Sequence, residues 1–269
     1  MLGAIIGDTI GSAYEFNNVK NKNFELFTKT SHLTDDSIMT LAIGEIVQNK
    51  WYNDRDKIID TLKKWGNAYP DVGYGGMFKK WLFDENLRDA YNSFGNGSAM
   101  RISSVGWYAN SEEEVKKIAK AVTEVTHNHE EGLKGAEVLA MCIYYARIGK
   151  DKEFIKKYVE KYYDIDFDYD DLIKNYKFYA SCQKSVPQAI YCFLISKDFE
   201  DCLRTTISIG GDCDTTSAMS CAIAEAYYKK IDKNIKDTTL EFLPKEKDGC
   251  NPKKVLDNFL IHQKRSSRK

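Results

Sequence analysis

The stretch SEEEVKKIAKAVTEV, residues 111–125, reads as a helix from its first residue. The Ser111 hydroxyl can accept an orphan backbone N–H, and Glu114 stands where a capping box places its carboxylate. Val115, Ile118, Val122 and Val125 then recur at steps of three and four, which puts them on one helical face. The same period continues outward. From about Glu130 to Ile148 it sets Leu133, Ala136, Leu139, Ala140, Ile143 and Tyr144 on one side, with Gly149 as a stop. Phe154, Ile155, Tyr158, Val159 and Tyr162 mark another amphipathic helix. Pro187 suits a first helical position ahead of Gln188 to Ile195. Thr215 to Tyr228 is rich in Ala, Ser and Met, so neighbouring helices can approach it closely. The acidic, tyrosine-rich run Asp164 to Asp171 is a surface loop or a helix start. Alternation with period two is nearly absent, so the fold class is all-α.

A chain of 269 residues, 43% apolar, can bury a sizeable core and is not broadly disordered. Its net charge of -1 gives no electrostatic reason to expect nucleic acid or a membrane surface as partner. The first apolar run, Leu2 to Ile6, is short and lacks a basic flank, so no secretory signal is expected. No stretch is apolar for long enough to span a bilayer. Seven scattered cysteines without a CxxC pair are expected to stay reduced, as in a cytoplasmic protein. Residues 1–260 are expected to form one domain, and 261–269 a polar, basic, disordered tail.

Two places put polar residues where an apolar pattern does not need them. One is Leu33-Thr34-Asp35-Asp36-Ser37, ahead of an apolar stripe. The other is Gly210-Gly211-Asp212-Cys213-Asp214-Thr215, ahead of the small-residue helix. Each supplies two carboxylates and a hydroxyl, the ligand types hard divalent cations prefer. Together they could hold two ions; taken singly, each is better read as a helix cap. Gly95-Asn96-Gly97-Ser98-Ala99-Met100-Arg101 could cradle a phosphate with its backbone N–H groups, or be an ordinary loop. Gly73-Tyr74-Gly75-Gly76-Met77-Phe78 is a second glycine-rich loop able to approach a ligand. Glu15 is an acid–base candidate or a surface glutamate. His127 and His129 lack the further ligands of a zinc site, which is rejected.

These motifs occur in a recognisable order. Gly7-Asp8-x-x-Gly11 with Glu15, Thr34-Asp35-Asp36-Ser37 and Gly95 to Arg101 come first. Thr126-His127, Val186-Pro187-Gln188-Ala189 and Gly210 to Thr215 follow. The series resembles the ADP-ribosylglycohydrolase family, which includes dinitrogenase-reductase-activating glycohydrolase, over roughly residues 1 to 230. The resemblance implies a compact, orthogonal multi-helix domain around two divalent cations, Mg²⁺ or Mn²⁺. It implies that Thr34, Asp35, Asp36, Asp212, Asp214 and Thr215 are their ligands, and that Glu15, Asp35 and Asp36 carry the catalysis. It implies substrate contacts from Tyr74, Gly75, Gly76, Asn96, Gly97, Ser98, Ala99, Met100 and His127. Three departures stand out: Ser37 where many members have threonine, Glu130 after His129, and Lys229 to Asp232 in place of a Gly-Ile-Pro-like turn.

The implied activity is metal-dependent removal of ADP-ribose from a modified protein, with ADP-ribosyl-arginine as the favoured linkage and a monomer as the expected state. Hydrolysis of O-linked ADP-ribose, in ADP-ribosyl-serine or O-acetyl-ADP-ribose, is the nearest alternative. A non-catalytic ADP-ribose-binding protein and a helical nucleotide phosphohydrolase are the rivals from other classes.

Overall fold

The computed structural model describes residues 1–266. They form α1 (Leu2–Gly11), α2 (Asp35–Gln48), a 3-10 turn (Trp51–Asn53), α3 (Arg55–Ala68), α4 (Gly76–Phe83) and the short α5 (Gly97–Met100). Then come α6 (Ser103–Tyr108), α7 (Glu112–Glu124), α8 (Glu130–Arg147), α9 (Lys152–Val159) and α10 (Tyr169–Asn175). The chain ends with α11 (Cys182–Ile195), α12 (Phe199–Ser208), α13 (Cys213–Tyr228), α14 (Lys233–Glu241) and α15 (Pro252–Ser266). Among the described residues the only β pairing is two isolated bridges, so the protein is all-α. No helix among them is long and apolar enough to cross a membrane. All seven cysteines are free and buried.

The helix starts follow from local chemistry. Ser111 accepts the Glu114 N–H at 3.2 Å, as the sequence predicts. The Glu114 carboxylate reaches one residue past the capping-box partner and accepts from the Asn110 N–H at 2.7 Å. Asp151, Asp168 and Asp198 cap α9, α10 and α12 in the same way, which settles Asp164 to Asp171 as a loop leading into a helix. Gly149, at φ +85°, ends α8. Pro187 departs from the expectation: it lies inside α11, which begins five residues earlier at Cys182. The Cys182 N–H donates to Phe94 O at 3.0 Å and the Ser185 hydroxyl to Ser181 O at 2.9 Å. These bonds build the turns upstream of the proline ring. Helix α15 takes in residues 261–266 of the expected tail, and 267–269 lie outside the described residues.

At the centre, α1 is buried along its whole length and lies against α13, itself buried from Cys213 to Ala226. Gly3, Gly7 and Gly11 form the contact stripe on α1. A Cβ on Gly3 would stand 2.3 Å from Cys221 O, one on Gly7 2.2 Å from Ser217 O, and one on Gly11 2.5 Å from Cys213 O. The pairs 3–221, 7–217 and 11–213 run in opposite order, so the two helices are antiparallel. Helix α13 also packs on α8, α11 and α12. The buried Met1 ammonium pairs with Glu225 Oε2 on α13 at 2.7 Å, beside the Gly3 N–H at 2.9 Å.

Because the obstacle at Gly7 is backbone, it cannot turn aside. Gly7→Ala is expected to lower unfolding stability by roughly 1–3 kcal/mol despite alanine's better helix propensity. Gly76→Ala, where a Cβ meets nothing within 4 Å, serves as the neutral control in the same denaturant titration. Equal stability of the two variants would contradict the close-packing account.

Candidate metal centre

Asp8 leaves α1 one residue after the tightest of these contacts and ties down the start of α2. Its Oδ2 accepts the Thr34 and Ser37 N–H groups, each at 3.0 Å, and the Ser37 hydroxyl. Its Oδ1 accepts the Thr34 hydroxyl at 2.7 Å. Thr34 is the N-cap of α2, accepting the Asp36 N–H at 3.2 Å, so the capping reading of this cluster holds in part. The partly exposed Asp35 donates its N–H to Val72 O at 2.8 Å, which joins the start of α2 to the loop before α4.

The second cluster follows the turn between α12 and α13, where Gly210 and Gly211 have φ of +73° and +76°. Side chains would also collide here: a Cβ on Gly210 falls 2.6 Å from Lys20 Nζ, one on Gly211 2.6 Å from Lys177 O. Asn18 grips the Gly211 backbone from both sides, accepting its N–H at 2.8 Å and donating to its carbonyl at 3.2 Å. The same Asn18 amide donates to Glu15 O at 2.9 Å. Lys20 donates to Ile209 O at 2.6 Å. The loop that carries Glu15 is thereby pinned to the turn that carries Asp212.

The two clusters meet. Thr215 Oγ1 donates to Asp36 Oδ2 at 3.2 Å, and Asn96 Nδ2 donates to Asp212 Oδ2 at 2.7 Å. Carboxylate oxygens of Asp8, Asp36 and Asp214 lie within 4.8 Å of one another, as do those of Glu15, Asp212 and Asp214. Among the described residues no cation pairs with any of them. Asp36 Oδ1 and Asp214 Oδ1 are buried with no hydrogen-bond partner. Burial, then repulsion by neighbouring carboxylates, Asp8 for Asp36 and Asp212 for Asp214, holds these two carboxyls well above the usual carboxylate range. Burial also raises Asp8 and Asp212, against the donors that favour their charged forms. Glu15 and Asp35 are pushed to about 7, by burial first and by neighbouring carboxylates second. A buried group of acids with two orphaned oxygens and no counter-charge fits divalent cations, which supply that charge and accept oxygen ligands.

The centre forms the floor of a cleft of about 790 Å³. Of the residues expected around a ligand, Gly75, Gly76, Asn96, Gly97, Met100 and His127 line it, together with Glu15. Three others do not. Tyr74 is buried with its hydroxyl donating to Tyr69 O at 3.0 Å, because its ring packs edge-on against Phe78 and Phe83. Ser98 is fully buried behind the loop and donates to Gly132 O at 2.8 Å; Ala99 is fully buried as well. The histidines diverge, His127 facing the cleft while His129 caps α8 by accepting the Glu131 N–H. In the sequence Asp8 stands only within the Gly7-Asp8-x-x-Gly11 motif with no role assigned to it; the structure gives it one, as the carboxylate that holds Thr34 and Ser37. Phe16 and Phe178 form the mouth, their rings stacked at 6.4 Å and Phe16 87% exposed; Asp71 joins them. No local motif marks these three, which come from separate loops.

The family model for ADP-ribosylglycohydrolase matches residues 1–251. The mouse ADP-ribosylhydrolase ARH3 is 27% identical, with 85% of this chain and 82% of that protein aligned. The ADP-ribosyl-[dinitrogen reductase] glycohydrolase of Rhodospirillum rubrum is 25% identical over 84% of this chain and 83% of its own. A solved structure described as an ADP-ribosylglycohydrolase-related protein complex superposes with a TM-score of 0.71 at 20% identity, over 98% of this chain and 97% of that one.

The raised carboxyls set the sign of a stability test. Without cations the folded state holds more protons than the unfolded chain between about pH 4 and 7. Stability is therefore greatest at the acid end and is lost as pH rises toward 7. In a chelator, the melting temperature is expected to fall between pH 5 and pH 8. Mn²⁺ or Mg²⁺ is expected to raise it more at pH 8, where protons no longer compete. A melting temperature indifferent to both ions at pH 8 would count against a cation site.

Proposed function

The chain belongs to the ADP-ribosylglycohydrolase family and is a glycosidic-bond hydrolase, and from that premise we propose that it releases ADP-ribose from modified arginine side chains. In this reading two divalent cations, Mg²⁺ or Mn²⁺, are held by Thr34, Asp35, Asp36, Asp212, Asp214 and Thr215. The observation that carries it is the pair of orphaned, buried oxygens, Asp36 Oδ1 and Asp214 Oδ1, on the floor of the cleft. When bound, the ions would neutralise these carboxylates, orient ribose hydroxyls and acidify a water.

The chain's own residues account for the rest. Hydrolysis adds a water oxygen to C1″ and breaks the C1″–N bond, whose electron pair leaves with the guanidine nitrogen. The transition state resembles an oxocarbenium ion, and a floor of carboxylates suits its positive charge. Glu15, whose carboxyl burial raises above the usual carboxylate range, takes a proton from the water and returns one to the departing guanidine. Asn96 keeps Asp212 oriented, and Asn18 keeps the Glu15 loop in register with it. Gly75 and Gly76 open onto free space and let the backbone approach the substrate. The arginine linkage is supported by charge: with the six ligand residues engaged, Glu15 and Asp71 still face the cleft and suit a cationic acceptor. A relative named for ADP-ribosyl-[dinitrogen reductase] supports a protein-bound substrate.

The test is release of ADP-ribose from an arginine-modified protein with Mg²⁺ present and with chelator. Full activity with Mg²⁺, none in chelator, and a drop of about 10²–10⁴-fold in kcat for Glu15→Gln are expected. Release from seryl-linked or O-acetyl substrates alone would move the assignment to the O-linkage. A phosphate-bearing fragment, identified by mass, would point to a phosphohydrolase. Binding of ADP-ribose without turnover of any linkage would mark a non-catalytic protein.

A further inference from the structure

Among the described residues Arg101 is the one arginine lining the cleft, and it is 1% exposed. No carboxylate pairs with it among the described residues, and its Nε has no hydrogen-bond partner. It lies over the Phe78 ring at 5.3 Å and donates from Nη2 to Thr126 Oγ1 at 2.7 Å. Thr126 Oγ1 in turn lies 2.8 Å from Nδ1 of the adjoining His127. The His127 ring lies beside Tyr91, at 5.9 Å between centroids, and its Cβ abuts Gly132, where an added Cβ would stand 3.1 Å away. Its Nε2 faces the Gly95–Gly97 turn, 3.7 and 3.4 Å from where a Cβ would stand on Gly95 and Gly97.

Two proton arrangements are open along this chain, and bond length and charge favour one of them. Arginine only donates, so Thr126 Oγ1 accepts from Arg101 and has a single proton of its own to give. That proton can go to His127 Nδ1 at 2.8 Å or to Thr123 O at 3.4 Å. The shorter bond is the stronger, and the guanidinium on the hydroxyl's far side sharpens it as a donor. The same cation favours a bare Nδ1 lone pair facing it. His127 Nδ1 is then an acceptor, and the ring proton stands on Nε2.

We propose that Arg101 and Thr126 are positioning residues that lock His127 as the Nε2–H tautomer, making it a fixed hydrogen-bond donor to an acceptor oxygen of bound ADP-ribose beside the Gly95–Gly97 turn. The ligand in this statement rests on the proposed reaction; the lock rests on the hydrogen bonds alone. Burial first, and the Arg101 charge second, hold His127 well below the usual imidazole range, so the ring stays neutral and one nitrogen remains an acceptor for Thr126. An imidazolium would donate from both nitrogens, so Oγ1 would accept from two cationic donors and its own proton would be left to the longer contact with Thr123 O at 3.4 Å.

The tautomer can be read directly in the full-length protein. Histidine-selective ¹⁵N labelling with long-range ¹H–¹⁵N correlation, assigned by loss of one ring's signals in His127→Gln, is expected to show a protonated Nε2 and a bare Nδ1. A protonated Nδ1 in the wild type overturns the lock. Thr126→Val is expected to release the tautomer preference and to weaken ADP-ribose binding by about tenfold, the worth of one hydrogen bond. Its effect should fall on KM rather than kcat, and Thr126→Ser should restore both the tautomer and the affinity. Thr126→Val with unchanged tautomer and affinity also overturns the proposal. Hydrolysis of ADP-ribosyl substrates by a chain with protonated Nδ1 would sink the relay and leave the reaction standing. A locked Nε2–H tautomer in a chain that binds no ADP-ribose would uphold the lock and overturn its ligand.

Discussion

Gly3, Gly7 and Gly11 bring the backbone of α1 onto the backbone of α13, with no side chain between. A hydrogen atom at those three positions sets the distance between two helices from opposite ends of the sequence. Asp8 follows Gly7, and Asp212, Asp214 and Thr215 surround the place where Gly11 meets Cys213 and Asp214. The register of one helix pair therefore determines how far apart the carboxylates of the two clusters stand. Moving α1 outward by a methyl group would carry Asp8 away, and with it the Thr34 and Ser37 groups that Asp8 holds. The buried acidic centre is less a loop motif than a consequence of close helix packing.

That packing is opposed by electrostatics. Among the described residues several acids share a buried site without a counter-cation, and two of their oxygens have no partner. Such a site costs the fold stability unless cations bind, which is a familiar signature of function held at the expense of stability. The surroundings compensate with geometry. Asn18 and Lys20 pin the Glu15 loop to the Gly210–Gly211 turn, and Asn96 steadies Asp212. The other wall carries the opposite charge in a single place, Arg101, whose role passes through Thr126 to His127.

Much of this was legible in the sequence, for identifiable reasons. Ser111, Gly149 and the apolar period of α7 and α8 are local signals, and they gave those helices with nearly correct ends. Thr34 to Asp36 and Asp212 to Thr215 stood out because they interrupt apolar patterns. Pro187 misled because its ring tolerates the second turn of α11 once other groups have started the helix. Tyr74 looked like a cleft residue from its glycine neighbours, yet its side-chain direction depends on Phe78 and Phe83 packing beside it. Asp8 is visible in its Gly7-Asp8-x-x-Gly11 motif, but its role and that of the helical glycines explain themselves only once α13 is alongside. Phe16, Asp71 and Phe178 meet through tertiary structure alone.

The central claim is that the two acidic clusters form one binuclear cation centre. Anomalous scattering from crystals grown with Mn²⁺ and ADP-ribose tests it most directly. The account predicts two manganese peaks between residues 34–36 and 212–215, with oxygens of Asp36 and Asp214 in contact with them. Crystals with ADP-ribose in the cleft and no manganese at that place would contradict it.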